Sequence, residues 1–182
     1  MTEHPSAEGY AAEGCATEGY VESRTSDGEL SEEQYQVLLV FRTALRRYLQ
    51  WSAVESARMG LTPQQHQLLL AVRAHPGPKP PSIGDLSDYL VIRHHSAVEL
   101  AKRAEAAGLV RRADDPDDQR VVRMTLTDEG RRVISALAER HMTELQRVSD
   151  RLGISEQMMQ QLAGEFAQNL LDDMRDNPAP TL

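Results

Sequence analysis

The stretch that decides the fold is GLVRRADDPDDQRVVRMTLTDEG, residues 108–130. Its apolar side chains Val122, Met124 and Leu126 recur at every second position, which is the period of a half-buried strand. Residues 113–119 hold four Asp and one Pro, a composition typical of a turn. We therefore predict two short strands joined by a charged tip.

A helix is predicted on either side of this ribbon. Gly108 ends a preceding helical segment, and Thr127 offers a hydroxyl cap to the next one. Asp128 and Glu129 place negative charge in the first turn of that next helix, where the helix dipole favours it. A ribbon with arginines at its base and beyond its tip, placed straight after a helix, is typical of a winged helix. The stretch therefore points to DNA.

Length and composition indicate a soluble globular protein. The chain has 182 residues, of which 40% are apolar and 26% charged. Its longest apolar runs, such as VLLVF at 37–41, are far too short to span a membrane. The N-terminus lacks the basic start and apolar core of a signal peptide, and a single cysteine cannot form an internal disulfide. We therefore expect a cytoplasmic protein.

The net charge of −8 argues against a nucleic-acid partner only until its distribution is considered. Residues 1–28 hold six acidic residues and one Arg, so −5 of the −8 lies there and only −3 remains elsewhere. Residues 93–123 hold seven Lys and Arg against six Asp and Glu, and four of those acids lie in the tip. DNA binding would therefore depend on a local cationic face.

Residues 1–28 also contain a degenerate repeat, AEGYA, AEGCA and TEGYV. Sequence rich in Gly and Glu with few large aliphatic residues cannot bury enough surface to fold, so we predict a disordered acidic tail. Cys15 lies in this tail among acidic residues. A redox switch is therefore the weaker interpretation, because a reactive thiol needs a lowered pKa.

The rest of the chain shows helical spacing of apolar residues, and the predicted fold class is mainly α with a small β-wing. We predict a winged helix-turn-helix DNA-binding domain at 61–128 and a long linking helix at 129–152. The helical dimerisation region is predicted at 29–60 and 153–176. Its last helix carries an apolar residue at every fourth position: Met158, Leu162, Phe166, Leu170 and Met174. Apolar faces this wide need more partners than one winged helix offers, which implies a homodimer.

Several motifs together resemble the MarR family of bacterial transcription regulators, over roughly residues 31–174. They are Leu61-Thr62-Pro63-Gln64-Gln65, Gly108-Leu109-Val110 followed by Arg112, Asp118-Gln119-Arg120, and Leu126-Thr127-Asp128-Glu129-Gly130. One departure is Val91, which stands in a turn where the family often has Gly.

The resemblance implies a DNA-binding regulator that represses or activates promoters, most simply a repressor, and that binds a palindromic site as a homodimer. The recognition helix would be about Arg93–Ala107, with its N-terminal residues facing base edges. A wing arginine would enter the minor groove, oriented by an aspartate two residues earlier on the same side of the strand. The DNA-binding candidates are Arg93, His94, His95, Ser96, Arg112, Asp118 and Arg120.

The resemblance also implies a small aromatic or phenolic effector, bound between the dimerisation helices and the DNA-binding lobe. The pocket candidates are Tyr48, Trp51, His66 and His141. Aromatic residues at helical spacing are more often part of a core, and a buried, hydrogen-bonded histidine is the simpler interpretation of His141.

Other classes of function have weaker support. The four Asp of the tip lack the ligand spacing of a calcium loop, so a solvated turn is the simpler interpretation. We expect no cofactor or metal, and no enzyme, because no nucleophile–base pairing, phosphate loop or metal spacing is evident. The main alternative is a winged helix that binds protein instead of DNA, which the acidic balance would suit.

Overall fold

A computed structural model describes residues 30–152 and, beyond them, residues 155, 157–158, 160–161 and 164–165. The predictions on the tail and Cys15 lie outside the described residues, as do those on Leu162, Phe166, Leu170 and Met174 of the apolar stripe. The chain divides into two compact units, Met1–Arg47 and Tyr48–Leu182. Of the first unit, the structure describes the beginning of one helix.

Five helices and a two-stranded antiparallel sheet make up the described chain, which confirms the predicted fold class. They are α1 (Glu32–Arg58), α2 (Pro63–Ala74), α3 (Ile83–Leu90), α4 (His94–Ala106), β1 (Val110–Asp114), β2 (Val122–Leu126) and α5 (Asp128–Leu152). In this part of the chain, no helix combines the length and the apolar character that a membrane crossing requires.

Side-chain caps start four of the labelled helices: α1 at Ser31, α2 at Thr62, α3 at Ser82 and α5 at Thr127. The hydroxyl of Thr62 accepts from the backbone of Gln65, and Ser82 forms the same capping box with Asp85. The hydroxyl of Thr127 accepts from the backbone N–H of Gly130 at 2.9 Å. These caps satisfy N–H groups that have no partner inside their helices.

The ribbon has the predicted strands but a shorter tip. β1 and β2 pair from Val110 opposite Leu126 to Asp114 opposite Val122, so residues 113 and 114 belong to the strand and not to the turn. A third segment joins β2, because the backbone N–H of Met124 donates to Pro81 at 2.9 Å. The proline-rich linker at 76–81 therefore leads into a single β-bridge, between Ser82 and Arg123, at the edge of the ribbon.

The core of the second unit lies between α2, α3, α4, α5 and the ribbon. Its largest fully buried side chains include Leu68, Leu69, Leu86, Leu100, Met124, Ile134 and Leu137. Burial of one such side chain contributes roughly 1.5–3 kcal/mol. This core holds the helix-turn-helix and the ribbon in one body.

The turn between α3 and α4 contains a left-handed residue that is not glycine. Val91 has φ 51° and ψ 49°, and its backbone N–H donates to Asp88 while that of Ile92 donates to Ser87. These bonds close the helix in the usual manner, but a β-branched residue is strained in this region. The side chain is 68% exposed, so little packing offsets the strain.

Val91→Gly is therefore expected to stabilise the protein by about 1 kcal/mol, since glycine adopts this conformation without strain. Urea denaturation of the two proteins measures the difference. Val54→Gly is the matched control, because Val54 is an exposed valine within α1. That change should destabilise by about 0.5 kcal/mol. A loss of stability at position 91 would contradict the strain argument.

Candidate nucleic-acid interface

The N-terminus of α4 presents three of the predicted DNA-binding residues to solvent. Arg93 is the N-cap residue, and His94 and His95 open the helix. All three are exposed, and their side chains form no hydrogen bond or ion pair with any described residue. Ser96 is half-buried. Unpaired N–H groups and the helix dipole make such an end attractive to phosphate.

Small residues hold this helix in place from behind. Ala97, Ala101 and Ala104 are at most 1% exposed, and Leu100 is 2% exposed, all on one face. Their short side chains let α4 lie close to α2, α3 and β1. The buried face thereby sets which residues of the first turn face outward.

At the tip of the wing, Asp118 holds Arg120 through three hydrogen bonds. Nε and Nη2 of Arg120 donate to the two carboxylate oxygens at 3.0 and 2.9 Å, and its backbone N–H donates at 3.0 Å. Arg120 lowers the pKa of the Asp118 carboxyl through these bonds. The side chain of Arg120 is 90% exposed. It is therefore oriented yet accessible.

The pairing of Asp118 with Arg120 was predicted, but its structural reason was wrong. Both residues lie in the turn between the strands, not on one side of a strand. The contact depends on the turn, in which the backbone N–H of Arg120 returns to the carboxylate.

Arg112 is less available than the sequence suggests. Its Nε donates to Glu105 of α4 at 2.6 Å, and its backbone N–H donates to the same carboxylate at 3.1 Å. The neighbouring Arg111 is exposed and pairs with no described residue. The strand pattern did not single out Arg111, because only the tertiary contact with Glu105 distinguishes the two arginines.

The interpretation of the four tip aspartates as a solvated turn is wrong for Asp115. This residue is 2% exposed, and its carboxylate accepts hydrogen bonds from Lys79 and Arg123. Burial of a carboxylate is costly unless cations and donors surround it. The sequence offered no signal of this, since Lys79 lies 36 positions away.

The four predicted pocket residues come together in the second unit and form an aromatic–histidine cluster of Tyr48, Trp51, His66 and His141. The ring centroid of His141 lies 4.8 Å from that of Trp51 and 4.7 Å from that of His66. Tyr48 lies 5.9 Å from Trp51. The cluster joins α1, α2 and α5.

Two serines of α1, which the sequence analysis did not single out, hold the histidines of this cluster. Nδ1 of His141 lies 2.8 Å from the carbonyl of Leu137, so it donates there and Nε2 accepts from Ser52 at 2.9 Å. The hydroxyl of Ser56 donates to the carbonyl of Ser52 and accepts from Nδ1 of His66. A serine hydroxyl thus contacts a histidine, as in a nucleophile–base pair, which the sequence did not indicate. However, Ser52 is buried, and a backbone carbonyl orients the imidazole.

His66 is the buried imidazole of this cluster, with 4% exposure. Burial, and secondarily the nearby His141, lowers the pKa of His66 to about 4. The ring is therefore neutral at pH 7. The cluster does not line the groove of about 450 Å³ beside the proline-rich linker or the groove beside His75 and Tyr89.

Residues 59–121 match the family model described as MarR family. This match spans α2 to the tip of the wing, which is the part that holds the proposed DNA contacts. No curated protein sequence matches the chain significantly.

Solved structures with a similar fold include AbsC, a MarR family transcriptional regulator from Streptomyces coelicolor. It is 18% identical, with a TM-score of 0.65 over 82% of this chain and 99% of AbsC. The S. aureus MepR–DNA complex is 19% identical, with a TM-score of 0.58 over 79% and 99%. The transcriptional regulator PA4135 is 26% identical, with a TM-score of 0.56 over 82% and 98%. At the identities of AbsC and MepR, the likeness establishes the fold alone.

The lowered pKa of His66 makes stability depend on pH. Between about pH 4 and 6.5 the unfolded chain binds a proton at this residue that the folded chain does not, so stability falls as the pH falls through this window. From pH 7 to pH 5, the free energy of unfolding should fall by about 2 kcal/mol more in the wild type than in His66→Gln. Denaturant titrations at both pH values measure this. His95→Gln, at an exposed position, should behave as wild type, and equal losses in all three proteins would contradict the burial argument.

Proposed function

We propose that the chain is a MarR family transcriptional repressor that binds a palindromic operator as a homodimer, since its residues 59–121 match the model of that family. The observation that carries this proposal is that two exposed basic features are held by the same hydrophobic core. One is the N-terminus of α4, and the other is Arg120, held outward by Asp118. The MepR–DNA complex, which shares this fold, supports a DNA ligand.

In the proposed complex, α4 enters the major groove and its first turn meets the base edges. Arg93 and Ser96 are the principal candidates, with His94 and His95 beside them. Arg120 enters the adjacent minor groove, where a guanidinium favours the narrow groove of A·T segments. Repression follows most simply, because a protein on an operator blocks access to the promoter. Such a regulator acts in the cytoplasm, where the bacterial chromosome lies.

The acidic net charge is compatible with this function, because the cations that face DNA are local. Arg93, Arg111 and Arg120 are exposed, whereas the buried Asp115 and the paired Glu105 are engaged by other cations. Counterion release from the few contacted phosphates then gives binding that weakens with salt. A winged helix that binds only protein would show no such salt-sensitive duplex binding.

The homodimer is supported by the apolar surface of α1. Seven large apolar side chains of this helix are 47–67% exposed in the single chain: Val37, Leu38, Leu39, Val40, Phe41, Leu45 and Leu49. A surface of this kind is unusual on a monomer and typical of an interface. A second copy of the chain is the partner that a two-fold symmetric operator requires.

We also propose that the aromatic–histidine cluster belongs to an effector site for a small aromatic or phenolic molecule. The rings of Tyr48 and Trp51 offer stacking surfaces, and the imidazoles of His66 and His141 are polar groups beside them. The cluster connects α1, which carries the proposed dimer surface, with α2, which packs against α4. A ligand there could shift the spacing of the two recognition helices.

Replacement of Arg120 tests the DNA assignment. Arg120→Ala should weaken binding to a duplex selected from random sequence by the wild type about tenfold or more, with a reduced salt dependence. Arg132→Ala is the matched control, since Arg132 pairs with Glu129 on α5 much as Arg120 pairs with Asp118. Fluorescence anisotropy at several salt concentrations measures both. Unchanged affinity of Arg120→Ala would refute the wing assignment, and no duplex binding by the wild type would favour the protein-binding alternative.

The oligomeric state tests the role of α1. The double variant Leu38→Asp, Phe41→Asp should yield monomers or aggregates without operator binding, because each charge would have to be buried in the dimer. Gln36→Asp, at an exposed polar position of the same helix, should remain dimeric. Sedimentation equilibrium measures the mass of each protein. A folded monomer that binds the operator with wild-type affinity would rule out the proposed dimer.

A further inference from the structure

Asp115 occupies an unusual place for an acidic residue. It lies at the beginning of the wing tip, between Asp114, which is exposed, and Pro116. Nevertheless it is 2% exposed, and it directs its charge inward. Its carboxylate contributes nothing to the acidic outer surface of the tip.

Two cations and a backbone N–H surround this carboxylate. Nε of Arg123 on β2 donates to one oxygen, and Nζ of Lys79 lies 3.2 and 3.3 Å from the two oxygens. The backbone N–H of Asp117 donates at 2.8 Å. These bonds hold the pKa of the Asp115 carboxyl well below its usual range, Arg123 being the largest cause. We call Asp115, Lys79 and Arg123 the clasp.

The clasp joins three segments that are distant in sequence. Arg123 also donates through Nη1 to the carbonyl of Pro80 at 2.7 Å, so one guanidinium connects β2, the tip and the linker. The backbone N–H of Asp115 donates to Val121 at 2.8 Å, which closes the tip at its base. The tip is therefore anchored at its base to the proline-rich linker that leads into α3.

Arg120 lies within the loop that this anchor closes. Asp118 is the only described residue with which its side chain forms a hydrogen bond or ion pair, and Asp118 is itself 40% exposed. Asp118 fixes the guanidinium relative to the turn, but it does not fix the turn relative to α4. The base of the tip provides that second constraint. Ordering a loose loop on binding costs free energy that a preorganised loop avoids.

We propose that Asp115, through the clasp with Lys79 and Arg123, is a positioning residue that sets the place of Arg120 relative to the recognition helix. The inference rests on the proposed function in DNA binding. It assigns no contact with DNA to Asp115, which is buried. It makes the wing's contribution to affinity depend on a carboxylate that never meets the ligand.

A double-mutant cycle with Arg120→Ala tests this dependence. Asp115→Asn keeps the shape of the side chain and removes its charge, and it should weaken operator binding about fivefold. If Asp115 acts through Arg120, the double variant should be no weaker than Arg120→Ala alone, about tenfold below wild type. Asp114→Asn removes the same charge from the exposed neighbour and should not weaken binding.

A second readout separates positioning from loss of stability. The two probes are duplexes that differ only in an A·T or G·C segment beneath the wing, and the wild type should distinguish them. Asp115→Asn should lose this discrimination. Thermal unfolding should show that Asp115→Asn is folded at the assay temperature. If Asp115→Asn does not fold, Lys79→Met serves, since Lys79 is 44% exposed. Lys79→Arg keeps the positive charge and should therefore retain both operator binding and the discrimination between the two duplexes. Additive losses with intact discrimination would overturn the proposal, whereas an ineffective Arg120→Ala would instead refute the wing's role in DNA binding.

Discussion

The burial of one face of α4 determines where the proposed major-groove contacts lie. Ala97, Leu100, Ala101 and Ala104 are covered by the rest of the second unit, so the helix has one rotational setting. Because successive helical residues are about 100° apart, a shift by one residue would turn the outward positions of the first turn away from their present direction by about 100°. The exposed N-terminus at Arg93 is therefore a consequence of packing on the opposite face.

Acidic residues around the wing organise the cations instead of repelling DNA. Asp118 orients Arg120, Glu105 engages Arg112, and Asp115 holds Arg123 from within. In each pair the carboxylate accepts from a guanidinium, a geometry with directional strength. The formal charge of the chain therefore says little about the potential that a duplex would meet, since these three carboxylates are engaged by arginines and Arg111 and Arg120 remain exposed.

Helices α1, α2 and α5 meet at a junction within the second unit. The aromatic–histidine cluster lies here, and so does the buried Glu55, whose carboxylate accepts from Arg140 at 2.7 Å and from Arg58. The bond from Arg140 lowers the pKa of the Glu55 carboxyl despite its burial. Polar groups in a buried junction favour one packing arrangement, so a small molecule at the cluster would act on a defined set of contacts.

The sequence by itself determined the order of the elements, the caps at Thr62, Ser82 and Thr127, and the alternation of β2, because these depend on residues a few positions apart. Local spacing also indicated Asp118 with Arg120. Only the tertiary structure decided that Asp115 is buried, that Arg112 is engaged while Arg111 is free of described partners, and that Ser52 and Ser56 hold the histidines. Each of these depends on a partner brought near by packing, over separations of 7 to 89 positions for which no local pattern exists.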